Sequence, residues 1–464
     1  MPNSRPLARA TLAFAVALGM ASGARAESLL GVARPRAGAL PRGVERGRTL
    51  TLGQTALGDL RSRTSAVVAA FPLGRDATVE LTLQRFEPFS PAARVEVVDD
   101  RGVRELPLPD QVYFTGTVSG EPQSRVLLMA ARDSVHGFAV ARGTVYLFGP
   151  DGAGRHRSYA LRDADPAVYP PPGDFCANDL HPSIVDSPLV SARARAEAGL
   201  VPPAFPRAAS TTLLEAEVAV ETDYELRSKF ASDQQTLDYL ASLVAASNTI
   251  YERDVLVRLR FSYIRLWATP SDPWSSTSTA GQLDEVRNYW TNPANNMTAI
   301  AGPHDIVHFI SGKAVSGGIA YIGAVCDASF QFGVSQVYGS FDLSDPNQVW
   351  DLVVVTHEIG HNLGTQHTHC YSPPLDKCYN QETSSYFNCY NGPVVASRGT
   401  IMSYCHLLPG GLSNIDLVFG PTVSATIRTT VEAATCMTAA GTCGNGTLEG
   451  GEECDDGNTV AGDG

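Results

Sequence analysis

The chain has 464 residues, 44% of them hydrophobic and 18% charged, with 42 glycines and 30 prolines. At this length several domains are expected, one of them large enough to be an enzyme, and the composition excludes a fibrous or wholly disordered chain. The formal charge of −13 offers no basic field for phosphate, which argues against a nucleic-acid partner.

Residues 1–26 read as a signal peptide. Arg5 and Arg9 precede an apolar run from Ala10 to Met20, and Ala24-Arg25-Ala26 has the small-x-small form of a cleavage site. The run is shorter than the roughly 20 residues that span a bilayer, and no other stretch is a candidate. The prediction is a secreted chain without a membrane span, in a compartment where disulfides form.

Residues 27–205 are predicted to be a β-rich domain and a linker. Over residues 65–150, short runs such as Thr78-Val79-Glu80-Leu81-Thr82-Leu83 alternate apolar and polar side chains between Gly, Pro and Asp turns. The alternation fails over residues 166–208, where Pro170-Pro171-Pro172, Arg193-Ala194-Arg195 and Pro202-Pro203 have linker composition.

A second domain, residues 206–438, opens with the alternating strand Leu214-Glu215-Ala216-Glu217-Val218-Ala219-Val220-Glu221. Tyr239, Leu240, Leu243, Val244 and Ile250 then recur at helical spacing, and residues 255–267 return to strand character, which suggests an α/β layer. Residues 305–310 and 333–338 read as further strands, with Gly317-Gly318 in the connection between them. Asp345-Pro346 supplies a predicted helix start, and that helix should run to about Leu363.

This helix carries His357-Glu358-Ile359-Gly360-His361. Two imidazoles four residues apart share one helical face and can reach a single ion. Gly364 stands where the helix can end in a left-handed turn, bringing His367 back as a third ligand. Three imidazoles leave a zinc ion one position for water, and Glu358 is the candidate general base.

With Gly399-Thr400-Ile401-Met402-Ser403-Tyr404 downstream, the extended histidine pattern resembles the metzincin signature and its methionine turn. The resemblance implies an α+β fold, a mixed twisted sheet with an active-site helix, and Met402 packed beneath the histidines. Residues 214–436 look most like the reprolysin or adamalysin family, which implies zinc-dependent cleavage of protein or peptide substrates. Two departures stand out. Thr368, followed by His369, replaces the aspartate usual after the third histidine, and Tyr404 sits where astacins and serralysins carry a tyrosine that approaches zinc. Tyr404 is thus a candidate transition-state contact, or an ordinary turn residue. His369 ranks second as a ligand, and His308 and His406 read as ordinary strand and loop histidines.

Cys326, Cys370, Cys378, Cys389, Cys405 and Cys436 can form three bridges, in any of 15 connectivities. The family resemblance favours Cys326 with Cys436. In the first half, Tyr113-Phe114-Thr115-Gly116-Thr117-Val118 resembles the propeptide domain that precedes reprolysin-like enzymes, which implies latency with the propeptide as inhibitor. Cys176, alone in that half, would then be a latency ligand on zinc. Otherwise it is a structural cysteine. Residues 439–464, with Cys443 and Cys454, resemble the start of a cysteine-rich repeat of secreted myxobacterial proteins; their acidic run is either a calcium site or a solvated spacer. The rival to an enzyme is a catalytically silent metzincin-fold adhesion or binding module, and Glu358 argues against it.

Overall fold

The computed structural model describes residues 28–440 apart from 34–39, 152, 166, 169–175, 178–183, 185–186, 189–211, 316, 341–347 and 383–386. The predicted signal peptide, the helix start at Asp345-Pro346, most of the linker, and the tail with Cys443, Cys454 and the suggested calcium site lie outside these residues.

The first region contains β1 (Leu30–Val32), β2 (Arg48–Leu52), α1 (Gln54–Arg61), β3 (Ser65–Leu73), β4 (Ala77–Phe86), β5 (Phe89–Asp99), β6 (Gly102–Glu105), β7 (Val112–Val118), β8 (Glu121–Ala130), β9 (Val135–Ala141), β10 (Thr144–Pro150) and β11 (His156–Ala160). Nine of these form one antiparallel sheet in the order β1-β2-β11-β10-β9-β8-β7-β4-β3. Because side chains alternate across a strand, β8 buries both faces: Val126, Leu128 and Ala130 join a core with Leu57 and Leu60 of α1, and Leu127 and Met129 face the opposite way.

The second region contains β12 (Leu214–Thr222), α2 (Tyr224–Arg227), α3 (Asp233–Val255), β13 (Val257–Trp267), α4 (Thr279–Thr291), α5 (Met297–Ala301), β14 (Ile306–Ser311), β15 (Gly318–Ala320), β16 (Phe332–Gln336), α6 (Gln348–Asn362), α7 (Pro421–Ala433) and β17 (Thr438–Ala439). Strands β13, β12, β14 and β16 run parallel to their neighbours, and β15 closes one edge antiparallel to β16. The alternating segment predicted at residues 214–221 and the strand predicted at 255–267 are thus adjacent parallel strands, the second starting only at Val257 because α3 runs on through Val255. One expectation is corrected: Gly317-Gly318 lies not in a plain connection but at the start of strand β15, which is too short to show a period.

The other edge of this sheet is completed from the first region. β5 pairs parallel with β13, and β6 folds back antiparallel on β5, so the order reads β15-β16-β14-β12-β13-β5-β6.

Helix α3 is the hub of the core. Ser232 caps its start through Gln235 N, and its residues from Tyr239 to Tyr251 are buried on every side. It packs in one continuous core with Leu127 and Met129 of β8, with β13, and with Val353, Val354 and Ile359 of α6. Tyr239 donates to Asp351 Oδ2 at 2.8 Å and Tyr251 to the Thr356 carbonyl at 2.6 Å, so α6 is tied to the hub at two points.

Candidate metal centre

Helix α6 brings His357, Glu358 and His361 into the interior, all fully buried. At its end, Gly364 adopts φ +104°, and a Cβ there would stand 2.1 Å from Thr430 Oγ1 on α7. Only glycine accepts both the conformation and the close approach. The chain therefore turns under α7 and returns His367 to the first two histidines, as the spacing predicted.

Each imidazole has its outer nitrogen occupied. Nδ1 of His357 donates to the Ile401 carbonyl at 2.8 Å, and Nδ1 of His361 to the Thr365 carbonyl at 2.8 Å. Nδ1 of His367 donates to Glu382 Oε2 at 2.7 Å. A carbonyl or carboxylate can only accept, so a neutral ring then carries its proton on Nδ1 and a lone pair on Nε2. The Nε2 atoms of His357 and His367 lie 3.1 and 3.2 Å from that of His361. Lone pairs facing one another at such distances repel unless a cation joins them. Nitrogens held tetrahedrally at about 2.0–2.1 Å from zinc would be about 3.3 Å apart, so the donor set suits that ion. Burial pushes the His361 imidazole down to about 3 and His357 far below its ordinary value, the neighbouring imidazoles adding to both.

Glu358 stands beside this point. Oε1 is buried without a hydrogen-bond partner, and burial pushes the carboxyl well above its ordinary value. A Cβ on Gly318 of β15 would lie 2.5 Å from Oε1, so the glycine makes room for the carboxylate against the sheet edge.

The turn predicted around Met402 lies below. The Thr368 amide donates to the Met402 carbonyl at 3.0 Å, and Met402 Sδ is 3.0 Å from where a Cβ on Gly360 would be. Tyr404 is buried; its hydroxyl donates to the Cys176 carbonyl at 3.1 Å and lies 3.4 Å from His367 Nε2. Cys176, from the first region, has Sγ 3.6 Å from His361 Nε2 and 3.7 Å from Glu358 Oε2. It forms an isolated parallel bridge with Gly318, and the Ala177 amide donates to the Gly318 carbonyl at 2.9 Å. Cys176, His357, His361 and His367 thus offer four donor atoms within 4.8 Å of one another.

His369 does not join them. Its Nε2 bonds Glu382 Oε2 at 2.6 Å, and its ring stacks behind that of His367 with centroids 5.4 Å apart. Glu382 was not anticipated. Burial opposes its ionisation, yet the hydrogen bonds from His367 and His369 hold it below its ordinary value. The one available signal was the irregular Thr368-His369 pair. Thr368 itself hydrogen-bonds Asp376, so a carboxylate from eight residues further on stands beside the position where the family carries its own. His308 lies buried in β14 and His406 in a 3-10 turn, and neither belongs to the group of four converging donors.

Three disulfides brace the centre: Cys326–Cys436, Cys370–Cys389 and Cys378–Cys405. The first is the pair the family resemblance favoured. The other two close overlapping loops within residues 370–405.

Residues 214–414 match the family model Reprolysin_5, metallo-peptidase family M12. The matched stretch includes the three converging histidines, Glu358, Met402 and Tyr404. Among solved structures, metalloproteinase-II from Bacteroides fragilis aligns over 81% of this chain and 94% of its own, at 11% identity and a TM-score of 0.40. A chaperone–substrate complex aligns over 34% of this chain and 25% of its own, at 17% identity and a TM-score of 0.26. No described helix is long and apolar enough to cross a membrane.

Proposed function

We propose that the protein is a secreted zinc-dependent endopeptidase of metzincin type, made as a latent precursor, with residues 206–438 as the peptidase domain and residues 27–205 as propeptide and linker. The observation that carries this reading is the convergence of three Nε2 lone pairs beside a buried carboxylate, inside the stretch matched by the M12 family. His357, His361 and His367 would hold the ion. Bound there, zinc supplies Lewis acidity that polarises a peptide carbonyl and makes water nucleophilic near neutral pH.

Glu358 would take the proton from the attacking water and pass it to the departing amine nitrogen. Its unpartnered Oε1 is the atom free to do so. Tyr404, with its hydroxyl close to His367 Nε2, would donate to the oxygen on which negative charge develops. Met402 and the hydrogen bonds donated by the three Nδ1 atoms would keep the ligand rings from turning. Cys176 would close the same point in the precursor, its thiol standing among the ligands and within reach of Glu358.

The deciding experiment is hydrolysis of a peptide library by the processed protein, with and without a chelator, beside Glu358→Ala. The variant should retain zinc and lose about 10²–10⁴-fold in rate. Cleavage that survives complete metal removal, or an undiminished Glu358→Ala, would sink the reading. For latency, Cys176→Ser in the uncut protein should raise activity toward that of the processed form; an equally silent variant rules the thiol out.

A further inference from the structure

The hairpin formed by β5 and β6 is covalently part of the first region but structurally part of the second. The chain leaves the nine-stranded sheet at Phe86, and from Phe89 it is hydrogen-bonded to β13 instead. Tyr263, Ile264, Arg265, Leu266 and Trp267 pair in unbroken parallel register with Arg94, Val95, Glu96, Val97 and Val98. The Phe261 amide donates to the Pro88 carbonyl and the Ala268 amide to the Val98 carbonyl, both at 2.8 Å, closing the two ends of the ladder.

The side chains are matched as well. Glu96 is buried, and its Oε2 accepts from the Tyr263 hydroxyl at 2.5 Å and from Arg265 Nη2 at 3.3 Å. Phe89 packs on Phe261 with ring centroids 5.4 Å apart, and Val95 and Val97 are buried in the same core. β6, by contrast, is four residues long and exposed throughout. A long bare edge invites pairing with any extended chain, whereas a short, charged one does not. Without the hairpin, β13 would present an edge of 11 residues.

At the thiol, Sγ makes two long contacts, with Glu358 Oε2 and His361 Nε2, while the Cys176 carbonyl accepts from the Tyr404 hydroxyl and the Ala177 amide donates to the Gly318 carbonyl.

We propose that the first region grips the peptidase domain by donating the 89–105 hairpin to the edge of its sheet, and that this strand addition, not the Cys176 contact, holds the two together once the connecting chain is cut. The proposal rests on the latency reading only in supposing that the linker is cut in use. Cutting the linker therefore yields a non-covalent complex rather than free enzyme, and release needs the hairpin to leave β13.

The test uses the full chain with a recognition sequence for a specific protease inserted between residues 198 and 199, examined by gel filtration after complete cutting. The two pieces should co-elute at micromolar concentration, and equally so with Cys176→Ser. Glu96→Lys, which sets a cation against Arg265 in a buried position, should weaken their association at least about tenfold. Hydrogen exchange gives a second readout that needs no variant: the β13 amides should remain as protected in the cut complex as in the uncut chain. Separation of the cut wild-type pieces, their separation by Cys176→Ser alone, an unweakened Glu96→Lys, or freely exchanging β13 amides in a persisting complex would each overturn the proposal. Peptide hydrolysis by the uncut chain, recorded alongside, reports separately on latency, since an active uncut chain whose cut pieces still co-elute would end that reading and leave this one standing.

Discussion

His367 is held differently from the other two imidazoles. His357 and His361 donate to carbonyls of their own neighbourhood, whereas His367 donates to a buried carboxylate that also accepts from His369. A carboxylate behind a ligand imidazole fixes its tautomer and raises its basicity, and loss of such a partner typically weakens metal binding 10–100-fold. Glu382→Ala is expected to weaken zinc by about that factor, because it leaves two buried N–H groups unpaired. Glu382→Gln, which keeps a carbonyl oxygen in place, should fall between the variant and the parent. Competition with a chromophoric chelator measures both; equal affinities for all three proteins would remove Glu382 from the centre. The three histidines and Glu358 were legible because helical spacing and one glycine bring them together within a few residues. Glu382 was not, since it follows His367 by 15 residues through chain with no period, shaped by Cys370–Cys389 and Cys378–Cys405 rather than by regular hydrogen bonding.

At the scale of elements, the turn at Gly364 decides whether His367 meets the histidines of α6. Substitution by alanine imposes a side chain on a backbone at φ +104° and drives it into Thr430 of α7. Gly364→Ala should destabilise the protein by about 1–3 kcal/mol in denaturant unfolding. Adding Thr430→Ala should recover the steric part of the loss and leave the backbone part; a double variant no better than the single one would show that the close approach to α7 costs nothing. The main elements around the site were readable for the same reason the turn was: β12 and β13 alternate, α3 repeats at helical spacing, and glycine marks the end of α6. Strand β15 escaped because three residues carry no period and the glycine that makes room for Glu358 looks like a loop residue.

At the scale of the molecule, the two regions share a sheet and a core. Period-2 alternation marks residues 65–150 as rich in strands but carries no sign of which sheet each strand joins, so the crossing of β5 to β13 could not be read from the chain. Its consequence is thermodynamic. Leu127 and Met129 of the first region lie in the same buried cluster as Leu240, Val353 and Ile359 of the second, and Glu96 is bonded to Tyr263 and Arg265. Regions that bury this much against each other should unfold together, although a protein of this length could easily unfold in stages. The chain supplies a probe to decide it: its four tryptophans, Trp267, Trp274, Trp290 and Trp350, all lie in the second region. Tryptophan fluorescence therefore follows the second region alone, while far-ultraviolet circular dichroism follows both sheets. For the uncut chain the two signals should give coincident denaturant transitions. In Glu96→Lys, the fluorescence transition should move to lower denaturant and separate from the dichroism transition, because the nine-stranded sheet keeps its own second core around Phe71, Leu81 and Phe148. Separate transitions in the parent protein would mean that the shared edge adds little to stability and that the two regions are coupled only through the chain that joins them.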